Sequence, residues 1–116
     1  MRAGSMMERQ SREALRIQKA VYVLLKNIAQ DLSLAIKTNA SLGSSGKRVR
    51  DFVMGLRYPL RPVSRERLLE VLLSADTSSE SSIRAALLNG VGPQKTPELY
   101  RDLSVYAIVF FGHVVE

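Results

Sequence analysis

The sequence predicts an all-α protein: one domain of about five helices around a single core. Apolar residues recur at spacings of three and four over long stretches, which is typical of amphipathic helices. Glycine and proline fall mainly between those stretches, where helices are expected to end. The chain has 116 residues and no cysteine. This length is sufficient to bury one core without disulfides or bound metal.

A long first helix is predicted over residues 8–37. The apolar stripe that predicts it consists of Ile17, Val21, Leu24, Ile28, Leu32 and Ala35. Further apolar residues widen this stripe, so the helix is expected to be central to the fold or shared with a second copy of the chain. Leu24 and Ile28 are therefore our candidates for a self-association surface.

The domain is predicted to span residues 8–116, with residues 1–7 as a tag or a disordered N-terminus. Residues 38–46 form a predicted flexible loop, because small polar residues and two glycines give this segment little to bury. The first residues contain no apolar stretch typical of a secretory signal, and no apolar run is long enough to span a membrane. We therefore expect an intracellular protein, cytoplasmic or nuclear, that is not secreted.

Three shorter helices are expected after the loop. Pro59 and Pro62 end the first of them and impose an extended connection. Ser64 has the side chain of a good N-cap for the second, and Asn89-Gly90 is a typical stop for the third. These helices are predicted over residues 47–58, 65–74 and 80–89.

The last helix is predicted to begin at Thr96-Pro97-Glu98, which combines an N-cap, a proline at the first helical position and an acid in the first turn. Residues 105–115 are rich in β-branched and aromatic side chains, which also suit a strand. We expect the helix to continue through them, and a short strand is the alternative.

Positive charge is concentrated directly after the flexible loop. Residues 47–67 contain seven basic and two acidic side chains, a net charge of +5, whereas residues 68–116 have a net charge of −3. The whole chain carries +6. This segregation indicates an anionic partner, head-to-tail self-association, or both. The seven basic residues are Lys47, Arg48, Arg50, Arg57, Arg61, Arg65 and Arg67.

Six of these seven residues are arginine, whose planar guanidinium suits bidentate contact with phosphate. Tyr58 lies among them and could stack on a base if exposed. A helix starting near Gly46 would add free backbone N–H groups to such a phosphate site. The competing interpretation is that the arginines pair with the acidic C-terminal segment of the same molecule.

Residues typical of catalysis are scarce. The one histidine, His113, lies in an apolar run and is interpreted as a packed residue. The acids show no metal-ligand spacing, no serine lies in a nucleophile-elbow pattern, and residues 43–47 lack the residues of a phosphate-binding Walker loop. We expect no enzymatic activity, no catalytic residue, no cofactor and no metal.

The sequence thus predicts a non-enzymatic, basic helical module that contacts nucleic acid, RNA rather than DNA, through its phosphates. Such small basic helical domains are typical of viral structural, regulatory or RNA-associated proteins. The alternative is an assembly domain that forms homo-oligomers or binds a protein partner. It would use the long first helix and the complementary charged surfaces of residues 47–67 and 68–116. Weak contact with an anionic membrane surface is a third hypothesis.

Overall fold

The structure is a computed structural model that describes the backbone of residues 2–38 and 45–115 and the side chains of residues 12–38 and 46–111. Within these ranges the chain forms five helices and no strand, which confirms the all-α prediction. The predicted flexible loop falls largely on residues 39–44, which lie outside the described ranges. The helices are α1 (Arg2–Thr38), α2 (Ser45–Met54), α3 (Pro62–Leu73), α4 (Glu80–Gly90) and α5 (Pro97–Val115).

The central helix is α1, which packs against α2, α4 and α5, while α3 packs against the same three helices. Its 37 residues give a length of about 55 Å at the usual helical rise, most of the 61 Å long axis of the molecule. It begins at Arg2 rather than at residue 8. Whether residues 1–7 are a tag stays a prediction, because their side chains lie outside the described part.

The second helix, α2, ends at Met54 and not at Tyr58 as predicted. The chain turns at Gly55, whose N–H donates to the Asp51 carbonyl at 2.9 Å. Because Pro59 disfavours helical backbone at the residue before it, the helix does not continue to Tyr58.

The predicted N-cap role of Ser64 is wrong, because α3 begins two residues earlier, at Pro62. Proline is pre-organised for the first helical position, and Arg61 takes the N-cap position in extended conformation (φ −66°, ψ 157°). Ser64 therefore lies inside the first turn of α3, completely buried. Its hydroxyl donates to the carboxylate of Asp102 instead of capping a helix.

The last two helices begin as predicted. Ser79 caps α4, its hydroxyl oxygen accepting a backbone N–H of the first turn at 3.2 Å. The last helix, α5, begins at Pro97 with an acid in its first turn. The Thr96 hydroxyl forms 3.3 Å hydrogen bonds with the backbone of Gly92, closing the loop before the helix. Residues 105–115 are helical, so the alternative of a short strand is not found there.

All five helices contribute to one apolar core. Leu24 and Ile28 of α1 lie in it with no exposed surface. Burying a leucine or isoleucine side chain fully stabilises the fold by about 1.5–3 kcal/mol. The largest fully buried apolar side chains are Leu24, Ile28, Leu32, Val49, Val53, Leu68, Leu72, Ile83, Leu87, Leu99 and Leu103.

Candidate anion-binding surface

Two of the predicted phosphate-binding arginines hold helix ends. Arg48 donates to the carbonyl of Ile36 at 2.9 Å, in the last turn of α1. Arg65 donates from both Nη atoms to three carbonyls at and beyond the end of α2, at distances of 2.8–3.0 Å. Carbonyls at a helix C-terminus lack partners within the helix, and cationic donors satisfy them well. The three carbonyls that accept from Arg65 belong to Val53, Leu56 and Tyr58.

A third arginine, Arg61, pairs with Asp102 of α5. Its Nε lies 3.0 and 3.1 Å from the two carboxylate oxygens, and its backbone N–H also points to the carboxylate at 3.3 Å. The side chain of Asp102 is 12% exposed. Burial raises the pKa of Asp102, but the hydrogen bonds from Arg61 and Ser64 outweigh burial, so the pKa of this carboxyl lies below its ordinary value.

Arg67 forms a weaker contact than the three arginines above. It forms an ion pair with Glu70, one turn further along α3, at 3.2 Å, and both side chains are more than half exposed. Exposed pairs of this kind are worth about 0–1 kcal/mol and are screened by salt. A competing anion could therefore replace Glu70 at little cost.

The remaining cations of the segment face solvent. Lys47, Arg50 and Arg57 are all exposed. Arg50 and Arg57 form no hydrogen bond or ion pair with any other described residue. Lys47 and Arg50 lie one turn apart on the outer face of α2, where Asp51 is the neighbouring acid. The predicted seven-residue surface is thus reduced to three exposed cations, two on α2 and Arg57 just after it, which we call the α2 cation cluster.

Tyr58 does not present a free ring. Its ring centroid lies 4.5 Å from that of Tyr106 on α5, and the side chain is half-buried. Burial, together with the nearby Tyr106 and Asp31, raises the pKa of Tyr58 to about 12. The ring thus packs the connection between α2 and α3 against α5. The predicted stacking on a base requires an exposure that this packing does not provide.

Two cations outside the predicted set lie near its residues. Arg101 of α5 is exposed and shares with Arg61 a shallow groove of about 320 Å³. Lys37 is exposed in the last turn of α1, next to the Ile36 carbonyl that accepts from Arg48. The sequence did not indicate that these two cations belong to the anion-binding surface. They lie outside residues 47–67, and only the packing of the helices brings them close to that segment.

The residues predicted for self-association are not at the surface. Leu24 and Ile28 are enclosed by the other helices of the same chain, so no second copy can reach them while this fold persists. The most exposed group of apolar side chains on one helix lies instead on the outer face of α5. Val105, Val109 and Phe110 are 61%, 76% and 61% exposed.

Several other features bear on function. Within the described residues no helix is long and apolar enough to cross a membrane, and no cluster of three potential metal ligands occurs. His113 lies outside the residues whose side chains are described. A comparison of the chain with known protein families, with curated proteins and with solved structures gives no match.

Proposed function

We propose that this chain is a non-enzymatic module that binds RNA through its phosphates. The observation that supports the proposal is the α2 cation cluster: Lys47, Arg50 and Arg57 face solvent, and neither arginine has a partner within the described chain. Exposed guanidinium groups that form no internal contact can meet phosphate oxygens without first breaking one.

RNA is preferred over duplex DNA because the last helix, α5, lacks an outward face suited to the major groove. Reading base edges there requires outward polar side chains. The helix that follows the turn at Gly92, α5, instead presents Val105, Val109 and Phe110. Binding through phosphates alone predicts low sequence specificity and a steep dependence on salt.

The test is the affinity for a single-stranded RNA of about 30 nucleotides, long enough for several contacts, measured by fluorescence anisotropy over a series of salt concentrations. Replacing both Arg50 and Arg57 with alanine should weaken binding and lower the salt slope by about 1.4, roughly 0.7 per lost phosphate contact. The control variant, Lys19→Ala with Lys26→Ala, removes the same charge from exposed positions on α1. If both double variants lost the same RNA affinity, net charge alone would explain the effect, and the α2 cation cluster would be rejected as the binding site.

A second candidate function is self-association through the outer face of α5. It is favoured by the three exposed apolar side chains Val105, Val109 and Phe110, since burying such a surface is the usual driving force for association. Val109→Glu should then lower the mass measured by light scattering. Leu34→Glu, at a position that is 64% exposed on α1, should leave the mass unchanged. A monomeric wild-type protein would exclude this candidate.

A further inference from the structure

A second surface of the protein is an apolar groove between α1 and the connection from α4 to α5. Its volume is about 480 Å³. One wall is formed by Val21, Tyr22 and Leu25 of α1, and the other includes Leu88 of α4 and Tyr100 of α5. Tyr22 and Leu88 are 47% and 40% exposed. The groove therefore offers a hydrophobic surface that the fold leaves in contact with water.

The rim of this groove is basic. Lys19 and Lys26 are exposed on α1 at three residues before and four residues after Tyr22, positions that are surface neighbours on a helix. On the other side, the Lys95 ammonium group donates to the Asn89 carbonyl at 2.8 Å, directly after Leu88. This hydrogen bond holds the charge beside the groove.

The acids of the surrounding helices point elsewhere. Glu13 and Asp31 each lie nine residues from Tyr22, which is two and a half turns and thus the opposite face of α1. Glu98 precedes Tyr100 by two residues, more than half a turn around α5. The acid of α4, Glu80, lies at the far end of that helix and pairs with Arg84. The groove thus combines an apolar floor with a rim of one sign.

Space at the floor of the groove is left by Gly92. A Cβ atom added there would meet no other atom within 4 Å. Both tyrosine rings on the walls end in hydroxyl groups that form no hydrogen bond with another described residue. The site can therefore accept an apolar side chain while its edges donate hydrogen bonds to polar groups of a ligand.

We propose that this groove binds an acidic segment of a partner protein, which inserts apolar side chains between Tyr22 and Leu88. Its carboxylates would meet the ammonium groups of Lys19, Lys26 and Lys95. Apolar anchors in a groove with complementary charge at the rim are the usual means by which helical peptides are held. RNA fits this site less well. Its phosphates would contact cations only at the rim, and the walls of the groove beneath the rim are apolar. The site is separate from the α2 cation cluster.

The test uses a short fluorescein-labelled peptide with leucine and phenylalanine one helical turn apart and glutamate at the other positions. Two matched peptides replace glutamate with glutamine, or the two apolar residues with serine. Anisotropy should show saturable binding of the first peptide only. Gly92→Leu, which fills the floor of the groove, should weaken this binding by at least about tenfold, or 1.4 kcal/mol. Lys19→Gln with Lys26→Gln should weaken it several-fold.

Three results would overturn the proposal: no saturable binding of the acidic peptide, equal binding of its glutamine counterpart, or undiminished binding by Gly92→Leu. Displacement of the peptide by RNA from the Arg50→Ala, Arg57→Ala variant would assign the groove to nucleic acid instead. Thermal unfolding of each variant controls for the fold. The Arg50→Ala, Arg57→Ala variant should keep full peptide affinity, so failure of RNA binding and failure of peptide binding are independent outcomes.

Discussion

The guanidinium group of Arg61 lies 3.0 Å from the carboxylate of Asp102, and this ion pair joins the start of α3 to the second turn of α5 across 41 sequence positions. Ser64 donates to the same carboxylate. Arg61 also donates to the Glu98 carbonyl at 3.4 Å. Because the Asp102 side chain is largely buried, its partners must replace the water it loses on folding.

We expect Asp102→Asn to lower the free energy of unfolding by about 2–3 kcal/mol, since the amide keeps the shape but loses the charge that Arg61 and Ser64 solvate. Urea unfolding at neutral pH measures this loss. Glu98→Gln is the control, because Glu98 is exposed and only its backbone carbonyl accepts from Arg61. Its effect should stay within about 0.5 kcal/mol. Wild-type stability in Asp102→Asn would contradict a stabilising role for the pair.

The same carboxylate predicts an acid dependence of stability. The pKa of Asp102 is lower in the folded chain than its ordinary value, so its ionised form stabilises the fold above the unfolded pKa. That contribution is lost as the pH falls through the folded pKa. The unfolding free energies of wild type and Asp102→Asn should therefore differ at neutral pH and converge in acid. If the two unfolding free energies differed by the same amount down to strongly acidic pH, the effect of the substitution would be due to packing and not to charge.

The contact of Arg65 with three carbonyls predicts that charge alone cannot replace it. Arg65→Lys keeps the charge but cannot reach Val53, Leu56 and Tyr58 together, because an ammonium group lacks the width of the guanidinium fork. We expect a loss of about 1.5–3 kcal/mol in urea unfolding, the range for hydrogen bonds to charged groups. Arg67→Lys, two positions along the same helix, should change stability by less than about 0.5 kcal/mol. Equal effects at both positions would refute this assignment.

The existence of all five helices could be predicted because each has its own apolar periodicity and its own breakers. Helix ends were harder to predict where a distant residue decides them. The end of α2 is held by Arg65, and the sequence around Met54 contains no sign of that contact. At α3 the sequence predicted a start at Ser64, whereas the helix begins at Pro62. The Ser64 hydroxyl donates to Asp102, 38 positions away, whereas the hydroxyl of a capping serine accepts a backbone N–H of the first helical turn.

The candidate site shows a similar division. The distribution of charged residues along the sequence was sufficient to locate the positive segment, because charge does not depend on how the residues pack. It could not separate Arg48 and Arg65, which hold helix ends, from Arg50 and Arg57, which face solvent. Within the ten residues of α2, Arg48 and Arg50 point in different directions, and tertiary packing decides which of them finds a carbonyl partner. For the same reason Leu24 could be identified as apolar, but not as part of the core of the monomer.

The close packing of Gly90 against Val71 leaves little room for a side chain at the end of α4. A Cβ atom there would lie 2.8 and 3.2 Å from the two γ-carbons of Val71 in α3. Both methyl groups of Val71 face the glycine, and the valine side chain is stiff at χ1, so relieving the contact is costly. We expect Gly90→Ala to destabilise the protein by about 1–2 kcal/mol in thermal or urea unfolding.

Gly92→Ala is the matched control, because the added Cβ atom meets open space and the effect should be neutral or slightly stabilising. Val71→Ala should in turn recover much of the loss when it is combined with Gly90→Ala. Additive losses in this double variant would show that Val71 is not the residue responsible.

Tyr58 predicts a loss of stability in alkaline solution. Its pKa is raised to about 12 from the ordinary value of 10.0, so the folded chain favours the neutral phenol. The neutral Tyr58 phenol contributes fully to the stability of the fold below pH 10. This contribution is lost as the pH rises toward 12, because Tyr58 ionises at lower pH in the unfolded chain than in the folded chain. Tyr58→Phe keeps a ring against Tyr106, so it should flatten this alkaline loss in denaturant unfolding. It should also remove phenolate absorbance that appears toward pH 12 in an alkaline titration. If the substitution instead removed absorbance that appears near pH 10, the packing of Tyr58 against Tyr106 would not be what governs its ionisation.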